Sequence, residues 1–211
     1  MCVMSPRKAA VLRGDDRSLR EHLIATAERM LAEHGTAGLT VRAIAREAGV
    51  ADGVLYNHFA DKEELLAHAL RAHVRAVERE LGTLPEPGSG DLAANLRAYI
   101  RYGTALHRAI FPALAGALAS PGLLASFTRA DGSGDDWRDR LVHYLRAERD
   151  LGRLAPDARV EAAAEMIVGV CHETVLTLLI HGASREHHPE QVSAQRTDDL
   201  VTAVLNGIAP R

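Results

Sequence analysis

One stretch of the sequence decides the fold: residues 39–66 read LTVRAIAREAGVADGVLYNHFADKEELL. Apolar residues recur every three or four positions on both sides of a short turn, which is the spacing of helices. In the turn, the small Ala48 lets two helices meet, Gly49 can adopt a positive φ, and Val50 fills the gap beneath. Two helices joined in this way form a helix-turn-helix, a unit that places its second helix in the major groove of DNA.

The same stretch resembles the TetR family of bacterial transcription regulators, whose usual run reads roughly A-G-V-S-x-G-T-L-Y-x-H-F-x-x-K-x-x-L. Residues 39–45 also look like the second helix of that family, and the resemblance is strong over about residues 18–80. It implies that Leu55 and Phe59 belong to the core. The matching positions are Ala48, Gly49, Val50, Gly53, Leu55, Tyr56, His58, Phe59, Lys62 and Leu65.

The resemblance implies contacts with DNA for part of this run. Thr40 and Arg42 would lie near phosphate and a base edge, and Gly53 would let the second helix approach the duplex closely. Tyr56 would donate its hydroxyl to phosphate, and Lys62 would meet phosphate as a point charge. The full set expected at the DNA surface is Thr40, Arg42, Asp52, Gly53, Tyr56, Asn57, His58 and Lys62.

Two positions depart from the family pattern. Ala51 stands where the family usually has Ser, so the following helix loses its expected cap. Asp52 then has two open roles, capping the helix or accepting a hydrogen bond from cytosine N4, while Asn57 could read an adenine edge. Val54 stands where the family usually has Thr, and it could pack against a thymine methyl but cannot bond phosphate.

The rest of the chain predicts further helices and no strand, so the expected fold class is all-α. Ser18 and Glu21 form a capping box at the start of the first helix, and Asp61 caps a long fourth helix. Residues 82–90, GTLPEPGSG, are too rich in glycine and proline for a helix and predict a loop. Asp91 caps the next helix, and shorter helical pieces are expected at Pro112 and Pro121. The helix that follows Pro156 is expected to be the longest. The longer helices are expected at 92–109, 135–152, 157–180 and 193–208.

Two domains are predicted from this pattern. Residues 1–62 form a helix-turn-helix DNA-binding domain, and residues 63–211 form a larger helical domain for ligand sensing and dimerisation. Residues 1–16 are locally basic and could meet phosphate, but chain ends usually fray, so we expect a flexible arm.

Composition and charge limit the class of protein. The chain has 211 residues, of which 47% are hydrophobic and 25% charged, with a net charge of −3. This is an ordinary globular balance, which excludes a disordered chain or a basic coat for polyanions. No uninterrupted apolar run has the length of a membrane span or a signal peptide, so we expect a cytoplasmic protein with no membrane partner. Cys2 and Cys171 make no disulfide framework, and Cys171 is expected to be a buried small hydrophobe.

The C-terminal helices carry two further expectations. Apolar residues from several helices could line a pocket for a small-molecule effector, an interpretation that the family resemblance favours over plain core. The expected pocket residues are Tyr102, Leu106, Phe111, Phe127, Trp137, Leu141, Met166 and Val170. The last two long helices would pair with their copies in a homodimer. The expected interface residues are Val160, Ala164, Ile167, Cys171, Leu178, Leu200, Val204 and Leu205.

Neither a catalytic nor a metal site is predicted. The sequence contains no G-x-S-x-G, H-E-x-x-H or phosphate-cradling glycine loop, so we expect neither an enzyme nor a bound cofactor. Eleven histidines are present, but the spacing of His181, His187 and His188 fits no standard metal site. Surface histidines are therefore the favoured interpretation.

The expected function is a ligand-responsive regulator of transcription. As a homodimer it would bind a palindromic operator in double-stranded DNA and be released by an unidentified small molecule. One alternative is a helical ligand carrier or enzyme with a vestigial helix-turn-helix. Another is an activator or a corepressor-dependent repressor, which differs only in the sign of the ligand coupling.

Overall fold

The computed structural model describes residues 16–36, 39–130, 136–181 and 189–208. These residues form helices and contain no strand, which confirms the all-α prediction. The predicted arm, residues 1–16, lies outside the described residues apart from Asp16, which begins the first helix. The helices are α1 (Asp16–His34), α2 (Val41–Ala48), α3 (Asp52–His58), α4 (Lys62–Leu81), α5 (Leu92–Leu118), α6 (Pro121–Ala130), α7 (Trp137–Asp150), α8 (Val160–His181) and α9 (Pro189–Ile208).

Three predicted helix starts, at Thr40, Asp61 and Asp91, are confirmed by their capping bonds. The Asp61 carboxylate accepts from the Glu64 amide (2.7 Å), and the Glu64 carboxylate accepts from the Ala60 amide (2.7 Å), which is a capping box. Asp91 caps α5 through the Ala94 amide (2.8 Å). The prediction for Ser18 is wrong, because α1 begins two residues earlier and Ser18 lies inside it.

Further boundaries differ from the prediction, since α8 begins at Val160 rather than at 157 and α9 begins at Pro189 rather than at 193. Asp136 caps α7 by accepting from the Asp139 amide (2.8 Å), whereas Asp135, the predicted start, lies outside the described residues. Pro112 does not end α5, which continues through it to Leu118 and is longer than α8. Proline removes one backbone hydrogen bond but has a helical φ, and burial of Ala113 and Ala117 beyond it offsets that loss.

The described helices divide into two compact units. The first unit comprises Met1–Glu78 and Ile110–Gly132, and the second comprises Arg79–Ala109 and Ser133–Arg211. Helices α4 and α5 each contribute residues to both units.

The first unit has a core built from α1 and the helix-turn-helix, together with α4, the end of α5 and α6. Leu23 and Leu31 of α1 are buried with Leu65 and Leu70 of α4, as their three-to-four spacing predicts. Gly116 of α5 lies against the loop after α1, because a Cβ there would overlap the Thr36 hydroxyl. The remaining buried members of this core are Ala27, Leu39, Ile44, Ala45, Leu55, Phe59, Leu66, Ala67, Ala69, Ala113, Ala117 and Leu123.

A buried carboxylate holds the 82–90 loop in the second unit. Glu148 of α7 is fully buried, and it accepts from the Gly88 amide (3.0 Å) and pairs with Arg153 Nε (3.1 Å). Arg153 also donates to Gly90 O (2.8 Å), and Asn95 Nδ2 donates to Ser89 O (2.7 Å). Since a buried charge is tolerated only when it is paired and hydrogen-bonded, this network specifies one conformation of the loop.

A pair of histidines and a tryptophan lie together in the core of the second unit. His107 of α5 faces His172 of α8 with 3.1 Å between the two Nε2 atoms, and its ring is edge-on to Trp137 of α7 at 5.3 Å between centroids. Trp137 fits only because Gly103 has no side chain, since a Cβ there would lie 2.2–2.6 Å from indole carbons. Burial, and then the charge on His172, lowers the pKa of His107 to about 4.

Helix α8 is apolar on more sides than the second unit covers. By length and composition alone, Val160–Ile180 could cross a membrane, with a mean hydropathy of 1.6, and only 28% of it is buried. The sequence has no uninterrupted apolar run of this length, since Glu161, Glu165 and Glu173 interrupt it, but these glutamates barely lower the average hydropathy. Glu161 pairs with Arg146 (2.8 Å) and Glu173 pairs with Arg196, which is typical of a bundle helix rather than a membrane span.

Replacing Gly103 by Ala should force the Trp137 indole out of its position. We expect a loss of about 1–2 kcal/mol in the free energy of unfolding, because overpacking outweighs the helix propensity gained from Ala. Trp137 is the single tryptophan, so its fluorescence emission should also change. Gly122→Ala is the matched control, since a Cβ at Gly122 meets only the Glu63 Cγ at 3.4 Å. Equal stability of the two variants in urea titrations would contradict this account of the packing.

Acid should destabilise the protein through its buried histidines. Burial lowers the pKa values of His107, His172 and His68, so the unfolded chain binds more protons than the folded chain below the ordinary value of 6.5. The free energy of unfolding therefore has its full value above pH 6.5 and falls towards pH 4. His107 alone accounts for a loss of about 1–2 kcal/mol by pH 5. Urea midpoints at pH 7.5 and 5.0 measure this loss. It should shrink in His107→Gln and remain in His143→Gln, which replaces an exposed histidine.

Candidate DNA-binding surface

The helix-turn-helix starts from a side-chain cap on α2. Thr40 has an extended backbone, and its Oγ1 accepts from the Ala43 amide (3.1 Å). A hydroxyl that accepts in this way keeps its own hydrogen for another acceptor. Thr40 itself is exposed, so that hydrogen is available at the surface.

The turn between α2 and α3 is set by one left-handed residue. Gly49 ends α2 with φ 73° and ψ 30°, and the amide of Val50 donates to Ala45 O (3.0 Å). A Cβ on Gly49 would meet nothing within 4 Å, so its backbone conformation, not space, calls for glycine. His22 of α1 fixes the same turn, because its Nε2 donates to Ala48 O (3.2 Å).

The inner face of α3 is held by the core of the first unit. Leu55 and Phe59 are buried, as the resemblance implied. The guanidinium of Arg20 lies over the Phe59 ring, 4.8 Å from its centroid, and Arg20 also donates to His68 Nε2 (2.8 Å). This Arg20 contact requires an unprotonated His68 nitrogen, which agrees with the lowered pKa of His68, caused first by burial and then by Arg20.

The outer faces of α2 and α3 share an exposed concave surface. The Arg42 side chain is 89% exposed and the Tyr56 ring points outward at 61% exposure. Gly53 and Asn57 are exposed on the same short helix, while His58 and Lys62 are half-buried. The concavity measures about 490 Å³ and is lined by Thr40, Val41, Arg42, Asp52 and Tyr56.

Arg42 and Asp52 pair across the turn. Arg42 Nε lies 3.3 Å from Asp52 Oδ2, so the contact uses one edge of the guanidinium. Ala51 is the N-cap of α3 and makes no side-chain cap bond, and Asp52 is the first helical residue. The capping role left open for Asp52 is therefore not found. Sequence reasoning missed this pair, although opposite charges on either side of a helix-turn-helix turn were the available signal.

The residues predicted for an effector pocket do not form one group. Phe111 and Phe127 belong to the first unit, where Phe127 lies under the Arg71 guanidinium of α4 (4.8 Å). Met166 is 51% exposed on α8, which places it outside the core. The remaining predicted pocket residues lie in the second unit, buried or half-buried, and are Tyr102, Leu106, Trp137, Leu141 and Val170.

A concavity of the second unit lies elsewhere. It measures about 540 Å³, and the Gly82–Pro87 segment forms one wall. Tyr99, stacked on Tyr144 at 4.6 Å between centroids, contributes to the other wall with Arg140 and His143. None of the predicted pocket residues lines this concavity.

The residues expected at a dimer interface differ in their exposure within one chain. Most of them are buried in the single chain: Val160, Ala164, Ile167, Cys171, Leu200 and Val204. Leu205 is half-buried and Leu178 is exposed. Burial raises the pKa of the Cys171 thiol to about 11, which confirms the interpretation of this residue as a buried hydrophobe.

The comparisons with known proteins point to one family. The family model described as bacterial regulatory proteins, tetR family, matches residues 23–69, which include the whole helix-turn-helix. The transcriptional repressor KstR2 of Mycobacterium tuberculosis is 47% identical over 58 residues, which are 28% of this chain and 29% of that protein. The chain spans less than half the length of the curated relatives that it matches.

Solved structures extend the likeness to nearly the whole chain. The flavonoid-responsive regulator FrrA is 25% identical with a TM-score of 0.67, covering 92% of this chain and 98% of that one. A TetR-family regulator from Mesorhizobium loti shares the fold at 16% identity, with a TM-score of 0.68 over 94% of this chain and 100% of that one. With the capped α2, the glycine turn and the outward-facing α3 already in place, these likenesses show that residues 23–69 form a DNA-binding domain of the tetR family of bacterial regulatory proteins.

Proposed function

We propose that this protein is a transcriptional repressor that binds a palindromic operator as a homodimer and leaves it when a small molecule binds. The observation that carries the proposal is the exposed surface of α2 and α3 around Arg42 and Tyr56, on helices whose inner faces are fixed in the core. The repressor KstR2 is one of the relatives that the chain resembles, over 58 residues. A rigid scaffold with an outward-facing recognition helix is what sequence-specific binding in the major groove requires.

Phosphate contacts would position α3 in the groove. The Thr40 hydroxyl keeps a hydrogen to donate while it caps α2, and the exposed Tyr56 hydroxyl donates from α3. Lys62, at the start of α4, adds a positive charge. Such contacts carry no sequence information but set the register of the protein on the duplex.

Arg42 would read a base with Asp52 as its positioning partner. Asp52 contacts Nε of the guanidinium, so this contact does not use the edge formed by the two Nη groups. A guanidinium fixed in this way suits the O6 and N7 acceptors of guanine. Asp52 therefore acts through Arg42 rather than as a direct acceptor from cytosine, and Asn57 is placed to contact a neighbouring base.

A second copy would cover the exposed face of α8. Leu176, Leu179 and Ile180 are exposed in a single chain on the C-terminal part of α8, and Met166 is exposed nearer the start of the same helix. Large apolar side chains clustered on one helix face mark an interaction site. An isologous contact between two copies brings the same face together twice and produces the two-fold symmetry of a palindromic operator.

Effector binding would act through the helices that the two units share. Both α4 and α5 continue from one unit into the other, so a change in the second unit has a covalent path to the DNA-binding unit. An effector that binds a DNA-incompetent conformation more tightly weakens operator binding by the same factor.

The variant Gly53→Ala should change the affinity for DNA without reducing the stability of the fold. A Cβ at Gly53 meets nothing within 4 Å, so the variant should fold with equal or greater stability. On the operator the same methyl would meet the duplex, and we expect about tenfold weaker binding in fluorescence anisotropy. Gly122→Ala, in the same unit but away from this surface, should bind as the wild type does. Unchanged operator affinity in Gly53→Ala would show that α3 does not approach DNA closely.

The proposed dimer interface is tested by introducing a charged residue on the exposed face of α8. Ile180 is 73% exposed in one chain, so Ile180→Glu should leave the fold intact and convert a dimer to a monomer in light scattering. Leu118→Glu is the matched control, because Leu118 is 69% exposed and lies in the first unit. A wild-type protein that is monomeric at micromolar concentration, or a dimer that survives Ile180→Glu, would exclude this interface.

The repressor function is tested on an operator selected from randomised duplexes. We expect a palindromic sequence, binding that weakens steeply as salt rises, and about a hundredfold loss in the double variant Tyr56→Phe and Lys62→Ala. Circular dichroism of the variant should match the wild type, because neither side chain is core. Enrichment of no sequence, with a folded dimer, would favour a ligand carrier with a vestigial helix-turn-helix.

A further inference from the structure

The paired histidines of the second unit have no part in the proposed repressor mechanism. His107 on α5 and His172 on α8 place their Nε2 atoms 3.1 Å apart, with ring planes nearly perpendicular at 83°. Both rings are half-buried, and two polar rings packed between apolar helices cost more than the aliphatic residues that could fill the same space. Such a pair therefore calls for a role.

The hydrogen positions of the pair follow from its partners. Gly103 O can only accept, so His107 Nδ1, at 2.6 Å from it, carries a hydrogen and donates. In a neutral ring the Nε2 atom of His107 then has a lone pair, and His172 Nε2 supplies the hydrogen between the two rings. The two Nε2 atoms thus lie side by side and share one hydrogen.

This arrangement matches that of histidines that bind metal. Zn–N bonds are about 2.0–2.1 Å long, so two Nε2 ligands of one tetrahedral ion lie about 3.3 Å apart, close to the observed 3.1 Å. Metal-ligating histidines usually donate their other nitrogen to a carbonyl or carboxylate, as His107 does to Gly103 O. Trp137, edge-on to His107, holds that ring in place.

We propose that the Nε2 atoms of His107 and His172 bind one divalent transition-metal ion such as Zn²⁺. The ion replaces the hydrogen between the rings, which moves to Nδ1 of His172, so no proton is released. The residues described in this chain contain no cluster of three or more metal-ligating side chains. Water completes the coordination, and the ion is exchangeable rather than structural.

Cys171, next to His172 in sequence, is not a third ligand. Its Sγ donates to Ile100 O (3.6 Å) and accepts from the Thr104 hydroxyl (3.5 Å), which turns it away from His172. Nitrogen ligands without a thiolate suit Zn²⁺, Ni²⁺ and Co²⁺.

Calorimetric titration of the untagged full-length protein with Zn²⁺, after treatment with EDTA, tests the site. We expect one ion per chain and a Tm about 5 °C or more higher when Zn²⁺ is in hundredfold excess over its Kd. His107→Gln and His172→Gln should each weaken binding at least about tenfold. His143→Gln, which removes an exposed histidine from α7, should bind as the wild type does.

A second probe guards against a variant that fails to fold. Co²⁺ added to the wild type should give visible absorption of imidazole coordination, which is lost in His172→Gln while its circular dichroism stays unchanged. The absence of stoichiometric binding by the wild type would overturn the proposal. So would binding that survives both His107→Gln and His172→Gln but is lost in the double variant His187→Gln and His188→Gln.

Discussion

A single left-handed residue, Gly49, determines the direction in which α3 leaves α2, and the DNA-binding surface depends on that direction. The turn is held by the Val50 amide on Ala45 O and by His22 on Ala48 O, so backbone groups carry the constraint. Leu55 and Phe59 then bury the inner face of α3. What remains outside is the face that carries Asp52 and Tyr56, with Arg42 beside it.

The second unit uses polar contacts where a helical bundle usually needs none. Fully buried Glu148 and its partner Arg153 fix the 82–90 loop, and two neutral histidines meet between α5 and α8. Such groups stabilise little by themselves, because their desolvation offsets most of their attraction. They do select one arrangement of the helices over others.

Much of the first unit could be predicted from the sequence, because its signals are local. The caps at Thr40 and Asp61, the glycine turn and the helical spacing each lie within a few residues of the structure that they specify. The start of α1 differs from the prediction because the capping-box pattern of Ser18 and Glu21 lies inside the helix. Helix α5 continues through Pro112 because packing beyond the proline overrides the local signal. The second unit was harder to predict. Val160 and Ile180 are both apolar residues of α8, but only contacts between distant segments decide that one is core and the other exposed.

Prediction of the DNA-binding surface has the same limit, because part of that surface depends on contacts between separate segments. Its exposed residues followed from the family pattern, but the Arg42–Asp52 pair depends on how the turn folds back.

The most direct test is a footprint of the purified protein on the DNA flanking its own gene, at moderate salt with non-specific competitor. The account predicts a two-fold symmetric protected site in which methylation of one guanine per half-site blocks the wild type but not Arg42→Ala. A folded dimer that protects no site and enriches none from randomised DNA would contradict it.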